Sequence, residues 1–147
     1  MHSTHHRFTK GKTILASIVI DELRCLPDTT VVFFYCKHDE ETRNTFMAVA
    51  RSILWQLSSQ NPLLLPYIYK YASSRGEILL TSKVLANEIL NIALSSCEKT
   101  FIVIDGLDGC QRAERVEITS FFRGLVESAS VGSWNPSAVF SSVKTTG

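Results

Sequence analysis

The sequence predicts an α/β fold, a sheet of three parallel strands with flanking helices. Two apolar runs, TTVVFFYC at 29–36 and FIVI at 101–104, are rich in β-branched and aromatic residues and do not alternate with polar ones. Such runs are typical of parallel strands that are covered on both faces. Long segments with helical spacing separate them, and this alternation implies right-handed crossovers in a parallel sheet. A shorter run, AVFSSV at 138–143, is predicted as the third strand.

The first helix is predicted to open at the triplet Gly11-Lys12-Thr13 and to end at Pro27-Asp28. Its apolar residues follow helical spacing and are predicted to share one buried face: Leu15, Ile18, Val19 and Leu23. The strand at 29–36 comes next. A polar loop, KHDEETRN, then leads into the second helix.

The second helix carries the clearest amphipathic pattern of the chain. Six apolar residues recur at the spacing of one helix face: Phe46, Val49, Ala50, Ile53, Leu54 and Leu57. A third helix is predicted over about 62–74, and Ser82 is predicted to cap a fourth. The strand at 101–104 ends at Asp105, and a fifth helix is predicted around 118–126.

Composition limits the function to that of an ordinary globular domain. The 147 residues suit one domain, and 45% hydrophobic with 20% charged residues is not a disordered composition. A net charge of +1 provides no field that would attract nucleic acid or an acidic membrane. No apolar run nears the ~20 residues of a membrane span. The four cysteines form no C-x-x-C pair, which favours reduced thiols and a cytoplasmic protein.

The triplet Gly11-Lys12-Thr13 forms the second half of the phosphate-binding pattern G-x-x-x-x-G-K-[ST]. In that pattern, backbone N–H groups at a helix N-terminus surround phosphate. Lys12 is predicted to contact phosphate oxygens and Thr13 to ligate Mg²⁺. The first glycine of the pattern would be residue 6, which is histidine. The triplet alone also occurs by chance in unrelated loops.

A second motif follows the buried strand at 101–104, where FIVIDGLD ends in two carboxylates. Asp105 matches the carboxylate that holds Mg²⁺ in phosphate-loop enzymes. Asp108 lies in the same loop and is the candidate catalytic residue. A strand followed by a common D-G turn is the plain alternative. Together, the two motifs stand in the order and context that a nucleotide-binding α/β domain requires.

Four segments resemble the NACHT-type ATPase domain of fungal STAND proteins, in the nephrocystin-3-like N-terminal group: GKTILASIVIDEL, VVFFYCKHDEETRNTFMAVARSILWQL, NPLLLPYIYKYASS and TFIVIDGLDGC. The resemblance spans about residues 9–142. It implies a switch that binds ATP and Mg²⁺, with Gly11, Lys12 and Thr13 at the phosphates and with Thr13 and Asp105 at the metal. It also implies a partial P-loop NTPase sheet, with strand order 4-3-2 in the family's numbering.

Three features depart from the family pattern. No strand and no glycine-rich turn precede Gly11, so the phosphate loop is incomplete. The glutamate that usually follows the D-G-x-D pattern is replaced by Gly109, which leaves ATP hydrolysis in question. The third strand continues as FSSVKTTG and lacks the family's arginine. We therefore expect a domain truncated at both ends, in which nucleotide binding is weakened.

The predicted organisation is a disordered polar tail at 1–8, a partial NACHT domain at 9–143 and a tail at 144–147. The leading interpretation is a fragment of an ATP-binding signalling switch, with nucleotide as its partner. The alternative is a non-catalytic interaction or decoy fragment that associates with itself or with intact STAND relatives. An unrelated α/β protein with a chance triplet is the third.

Overall fold

The computed structural model describes residues 3–77, 79–129 and 135–141, with side chains for 14–77 and 79–128. The helices are α1 (Ser3–Arg24), α2 (Phe46–Gln60), α3 (Leu64–Ser74), α4 (Lys83–Ser95) and α5 (Arg112–Ala129). The strands are β1 (Thr30–Tyr35), β2 (Lys99–Asp105) and β3 (Asn135–Ser141). Two 3₁₀ turns span Glu41–Arg43 and Leu107–Gly109.

The strands form one parallel sheet in the order β1-β2-β3. In its register, Thr30 lies opposite Thr100 and Tyr35 opposite Asp105, and Asp105 in turn lies opposite Ser141. The carboxyl ends of the three strands therefore lie side by side, and this end of the sheet is called the carboxyl edge. The predicted α/β class is confirmed, and the predicted residues 142 and 143 of the third strand lie outside the described part.

Helices cover both faces of the sheet. Ile102 and Ile104 of β2 belong to the larger apolar cluster, which α2, α4 and α5 complete on one face. Val103 points to the opposite face, because successive side chains of a strand alternate. There it packs with Val31 of β1 and Ile20 of α1. Helix α1 therefore covers the second face alone among the described helices.

Two helix starts follow from local chemistry. The Ser82 hydroxyl accepts the N–H of Leu85 at 3.3 Å, as predicted for the cap of α4. Thr45 caps α2 in the same way, since its hydroxyl accepts the N–H of Ala48 at 3.2 Å. Such caps satisfy N–H groups that have no partner within the helix.

Strand β1 forms one edge of the sheet, and two glutamine side chains of α2 pair with its backbone. Gln56 accepts the N–H of Phe33 at 3.0 Å and donates to its carbonyl at 2.7 Å. Gln60 donates to the carbonyl of Val31 at 3.0 Å. Unpaired backbone groups at a strand edge invite pairing with another chain. The glutamines occupy three of these groups, the N–H and carbonyl of Phe33 and the carbonyl of Val31.

Helix α1 differs from its prediction in two respects. It begins at Ser3, within the segment predicted as a polar tail, whereas it was predicted to open at Gly11; the division of the chain into tail and domain stays a prediction. Among residues 14–24, Ala16 and Ile20 are buried. Of the four residues predicted to share the buried face, Val19 and Leu23 are half-buried, with Leu23 packed against the second apolar cluster, whereas Leu15 and Ile18 are exposed. The predicted face is therefore covered only in part.

Candidate functional site

Asp105 is buried at the carboxyl end of the central strand, with 6% of its surface exposed. Its carboxylate accepts the N–H of Gly106 at 2.9 Å. Its carbonyl accepts the N–H of Cys36 at 2.8 Å, which extends the β1–β2 pairing by one residue. Among the described side chains, none forms an ion pair with this carboxylate. A buried carboxylate is costly without a cation, so this position suits one.

The turn after Asp105 is pressed against the segment that follows β1. Gly106 has a left-handed backbone, with φ of 77°. A Cβ added there would lie 2.4 Å from the carbonyl oxygen of Cys36. A Cβ added at Gly109 would lie 3.1 Å from the backbone nitrogen of His38. Glycine is therefore required at 106, and a glutamate at 109 would require the His38 backbone to shift.

Helix α1 is directed toward this same edge. The hydroxyls of Ser17 and Tyr35 lie 3.3 Å apart, and Tyr35 is opposite Asp105 in the sheet. Ile20, about one turn later in α1, packs against Val103 and against Val31, which lies near the amino end of β1. The N-terminal part of α1 therefore extends past the carboxyl ends of the strands.

The position of Thr13 follows from that direction. Residue 13 lies one helical turn before Ser17, about 6 Å along the axis at ~1.5 Å per residue. Asp105 lies on the same face of the sheet as Val103, two residues earlier, and this is the face that α1 covers. The backbone of residue 13 and Asp105 thus belong to one edge and one face. Where the Lys12 and Thr13 side chains point lies outside the described part, and their roles stay predictions.

The triplet Gly11-Lys12-Thr13 lies inside α1 and not at its start. Helix interiors use each N–H to bond the carbonyl four residues earlier, whereas a phosphate loop leaves these groups free. The prediction that the triplet opens the helix is wrong. Its physical reason is that residues 3–10 contain neither glycine nor proline, so no strong helix breaker acts before the triplet.

Asp108, the candidate catalytic residue, is exposed in the 3₁₀ turn Leu107–Gly109. It is three residues from Asp105 and faces no described cation within ion-pair distance. Its role stays a prediction. The described residues contain no group of three His, Cys, Asp or Glu side chains that could hold a metal ion. A Mg²⁺ ion at Asp105 would therefore depend on nucleotide phosphates and water, as is common for this ion.

Two cysteines lie in the segments beside this site. Cys36 follows β1 and packs against the larger apolar cluster, and Cys110 follows the turn 106–109 and is buried in that cluster. Interaction with Cys110 and partial burial raise the pKa of Cys36. Interaction with Cys36 lowers the pKa of Cys110.

Comparison with known proteins shows the family of this chain. The family model described as nephrocystin 3, N-terminal, matches residues 5–141. The chain belongs to this family. The nephrocystin-3-like, NACHT-type group recognised from the sequence is thereby confirmed.

This nephrocystin 3, N-terminal domain is also similar to a fungal protein, the vegetative incompatibility protein HET-E-1 of Podospora anserina. The two are 30% identical over 107 residues, which cover 69% of this chain and 8% of HET-E-1. The chain thus spans a small part of that relative. No solved structure gives a significant match. No helix in the described part of the domain is long and apolar enough to cross a membrane.

Sequence reasoning missed three contributors to this edge of the nephrocystin 3, N-terminal domain: Ser17, Tyr35 and the Cys36–Cys110 pair. Tyr35 and Cys36 end an apolar strand, and Cys110 follows the D-G-x-D turn. Parallel strands bring their carboxyl ends together. That rule, applied to the sequence alone, could have placed the two cysteines in one cluster.

Proposed function

We propose that this domain is a nucleotide-binding module of the NACHT type that binds ATP with Mg²⁺ at the carboxyl edge of its sheet. The observation that supports this most strongly is the Ser17–Tyr35 hydrogen bond. It directs the turn of α1 that carries residues 11–13 to the edge where Asp105 is buried. Ligands of open α/β sheets bind at this edge.

The proposed roles follow from the chemistry of each group. Lys12 supplies a positive charge to the phosphate oxygens, and Gly11 lets the nucleotide approach the backbone. The Thr13 hydroxyl and the Asp105 carboxylate hold the magnesium ion, directly or through its water. Oxygen ligands of this kind suit Mg²⁺, which neutralises the phosphate charge when bound. Asp108 lies close enough in sequence to order water near the site.

We expect the affinity to be low and hydrolysis to be negligible. The N–H groups of residues 11–13 belong to the interior of α1, so they reach phosphate only if the helix opens upstream of them. A carboxylate that would orient water is lacking at Gly109, where a side chain would press on His38. Asp108 remains as the one carboxylate of the turn Leu107–Gly109.

Isothermal titration with ATP and Mg²⁺ tests this proposal. We expect a dissociation constant above about 100 μM, weaker than roughly −5.5 kcal/mol. Lys12→Ala and Asp105→Asn should each weaken binding by about tenfold or more, because each removes a charge that contacts phosphate or metal. A phosphate-release assay should show no turnover that depends on Lys12.

Two matched controls accompany these variants. Lys10→Ala removes a lysine two residues away on the same helix, and Asp28→Asn removes a carboxylate from the opposite end of the sheet, before β1. Neither should change the affinity by more than about twofold. Binding that survives Lys12→Ala and Asp105→Asn, or no binding at several millimolar ATP, would refute the site. Micromolar affinity would refute its weakening.

An exposed apolar face of α1 favours a second candidate function, association with another copy of this domain or with an intact relative. Ile14, Leu15 and Ile18 expose 60%, 62% and 53% of their surface. Such a cluster on a soluble domain often marks an interaction surface.

Size-exclusion chromatography with light scattering tests this candidate. We expect a mass that rises with protein concentration, and Ile18→Glu should return the protein to a monomer. Val116→Glu is the control, because Val116 is also 53% exposed but lies on α5. A monomer at all concentrations would speak against this function.

A further inference from the structure

We propose that the amino end of the sheet, opposite the carboxyl edge, carries a binding site for a small organic cation with ammonium or guanidinium groups. A cavity of about 260 Å³ opens there, where α2 and α4 end and β1 and β2 begin. This volume lies just below the ~300–1,000 Å³ of ordinary ligand pockets, so it suits a small molecule. Six polar residues contribute to its lining: Asp28, Thr30, Gln60, Asn61, Ser96 and Glu98.

The cavity carries two carboxylates and no protein cation opposite them. Asp28 lies shortly before β1, and Glu98 lies directly before β2. Among the described residues, neither carboxylate forms an ion pair. The basic residues nearest to them in sequence, Arg24 and Lys99, lie over aromatic rings of β1 and β2, at 5.3 and 5.6 Å from the ring centroids. Those rings belong to the sheet face that α1 covers, so both cations are directed away from the cavity.

Two helix ends add to the negative potential of the cavity. Helix α2 ends at Gln60 and α4 ends at Ser95, and the residues that follow them, Asn61 and Ser96, both line the cavity. The last carbonyl groups of a helix have no partner within it, and they give its C-terminus a partial negative charge. The helix ends therefore favour a cation at the place where the carboxylates also favour one.

Two polar side chains of the lining have their donors engaged elsewhere. The amide nitrogen of Gln60 donates to the carbonyl of Val31 at 3.0 Å. The hydroxyl of Ser96 donates to the carbonyl of Ala93 at 2.6 Å. The side-chain oxygens of Gln60 and Ser96 remain as acceptors. A ligand that brings N–H donors therefore meets a cavity that is rich in acceptors.

A buried hydroxyl beside the cavity has no partner. Thr100 lies opposite Thr30 in the sheet, and the two residues share one face because paired residues of neighbouring strands do. Thr100 is 0% exposed, and its hydroxyl oxygen forms no hydrogen bond with any described group. Buried polar groups in proteins are normally hydrogen-bonded. An N–H donor that enters the cavity past Thr30 would supply the partner that this oxygen lacks.

This combination of charges and acceptors identifies the class of ligand. Ammonium and guanidinium groups carry several N–H donors, a positive charge and no acceptor. A molecule with such a group at each end matches the two carboxylates at Asp28 and Glu98. Agmatine, in which a short alkyl chain joins an ammonium to a guanidinium group, is therefore the probe. The site goes beyond the proposed function, since Asp28→Asn should weaken agmatine binding and leave the affinity for ATP unchanged.

Titration of the folded full chain with agmatine at constant ionic strength, followed by nuclear magnetic resonance, tests the site. We expect the backbone amide signals of Thr30, Asn61 and Glu98 to shift together, with a dissociation constant of about 1 mM. Asp28→Asn and Glu98→Gln should each weaken binding about threefold, and the double variant about tenfold, because exposed ion pairs are individually modest. Both carboxylates are exposed, so neither variant should impair folding.

Matched controls separate a site from a diffuse acidic surface. Glu41→Gln removes an exposed carboxylate near the carboxyl edge and should leave agmatine binding unchanged. The ligand 4-guanidinobutyrate, with a carboxylate in place of the ammonium group, should bind more weakly than agmatine. An arginine residue blocked at both ends should bind no better than agmatine, and tighter binding would overturn the assignment to a small molecule.

Four further results would overturn the proposal. They are no shift of the three amide signals at about 20 mM agmatine, equal binding of agmatine and 4-guanidinobutyrate, the same shifts with Mg²⁺ alone, and an agmatine affinity that the double variant does not change.

Discussion

Gly106→Ala is expected to destabilise the domain by about 2–5 kcal/mol. A left-handed backbone costs an L-residue roughly 1–2 kcal/mol, and Gly106 has a φ of 77°. The new Cβ would also lie 2.4 Å from the carbonyl oxygen of Cys36. That carbonyl belongs to the backbone at the end of β1 and cannot rotate away as a side chain would. Overpacking of this kind adds about 1–3 kcal/mol.

Gly76→Ala is the matched control for this prediction. Gly76 has nearly the same φ, 76°, but an added Cβ would meet nothing within 4 Å. Gly76→Ala should therefore lower the free energy of unfolding only by the cost of a left-handed backbone, about 1–2 kcal/mol. Urea unfolding of the two variants, at a constant m value, measures the difference. Equal losses would show that the turn after β2 does not press on the segment 36–38.

Phe122→Ala is expected to cost about 3–5 kcal/mol, the range for a fully buried phenylalanine. Phe122 is 0% exposed in the cluster between α5 and the sheet. Its ring meets that of Phe121 edge to face, with centroids 5.0 Å apart. The substitution leaves a cavity that the surrounding helices cannot close. Chemical denaturation followed by circular dichroism gives the free energy of unfolding.

Val116→Ala on the same helix is the control for Phe122→Ala. Val116 is 53% exposed, so its truncation should change stability by no more than about 0.5 kcal/mol. A loss below about 1 kcal/mol for Phe122→Ala would mean that α5 does not pack on the sheet through this ring.

The elements with complete local patterns were predicted well. All six apolar residues assigned to the buried face of α2 are buried, because burial of one helix face imposes a spacing that the sequence shows directly. Strand β2 ends at Asp105 as predicted. A continuous apolar run that ends in a carboxylate carries this information within a few residues. Patterns of this kind need no knowledge of distant contacts.

Helix α1 and the carboxyl edge were predicted less completely. The motif Gly11-Lys12-Thr13 indicates a helix start, yet local helix propensity extends the helix to Ser3. The exposure of Leu15 and Ile18 depends on which neighbours α1 has, and spacing alone cannot supply that. The Ser17–Tyr35 bond and the apolar cluster shared by Cys36 and Cys110 bring together residues far apart in the chain. Hydrophobic periodicity describes neighbours within one helix or strand, so it gives no information about such pairs.

The central claim is that residue 13 and Asp105 belong to one metal-bearing edge. The most direct test replaces Mg²⁺ by paramagnetic Mn²⁺ together with ATP and follows broadening of backbone amide signals by nuclear magnetic resonance. We expect the amides of Thr13 and Gly106 to broaden together at low Mn²⁺, while that of Lys99, at the opposite end of β2, stays sharp. Broadening of only one of the two amides, or of neither, would contradict the claim.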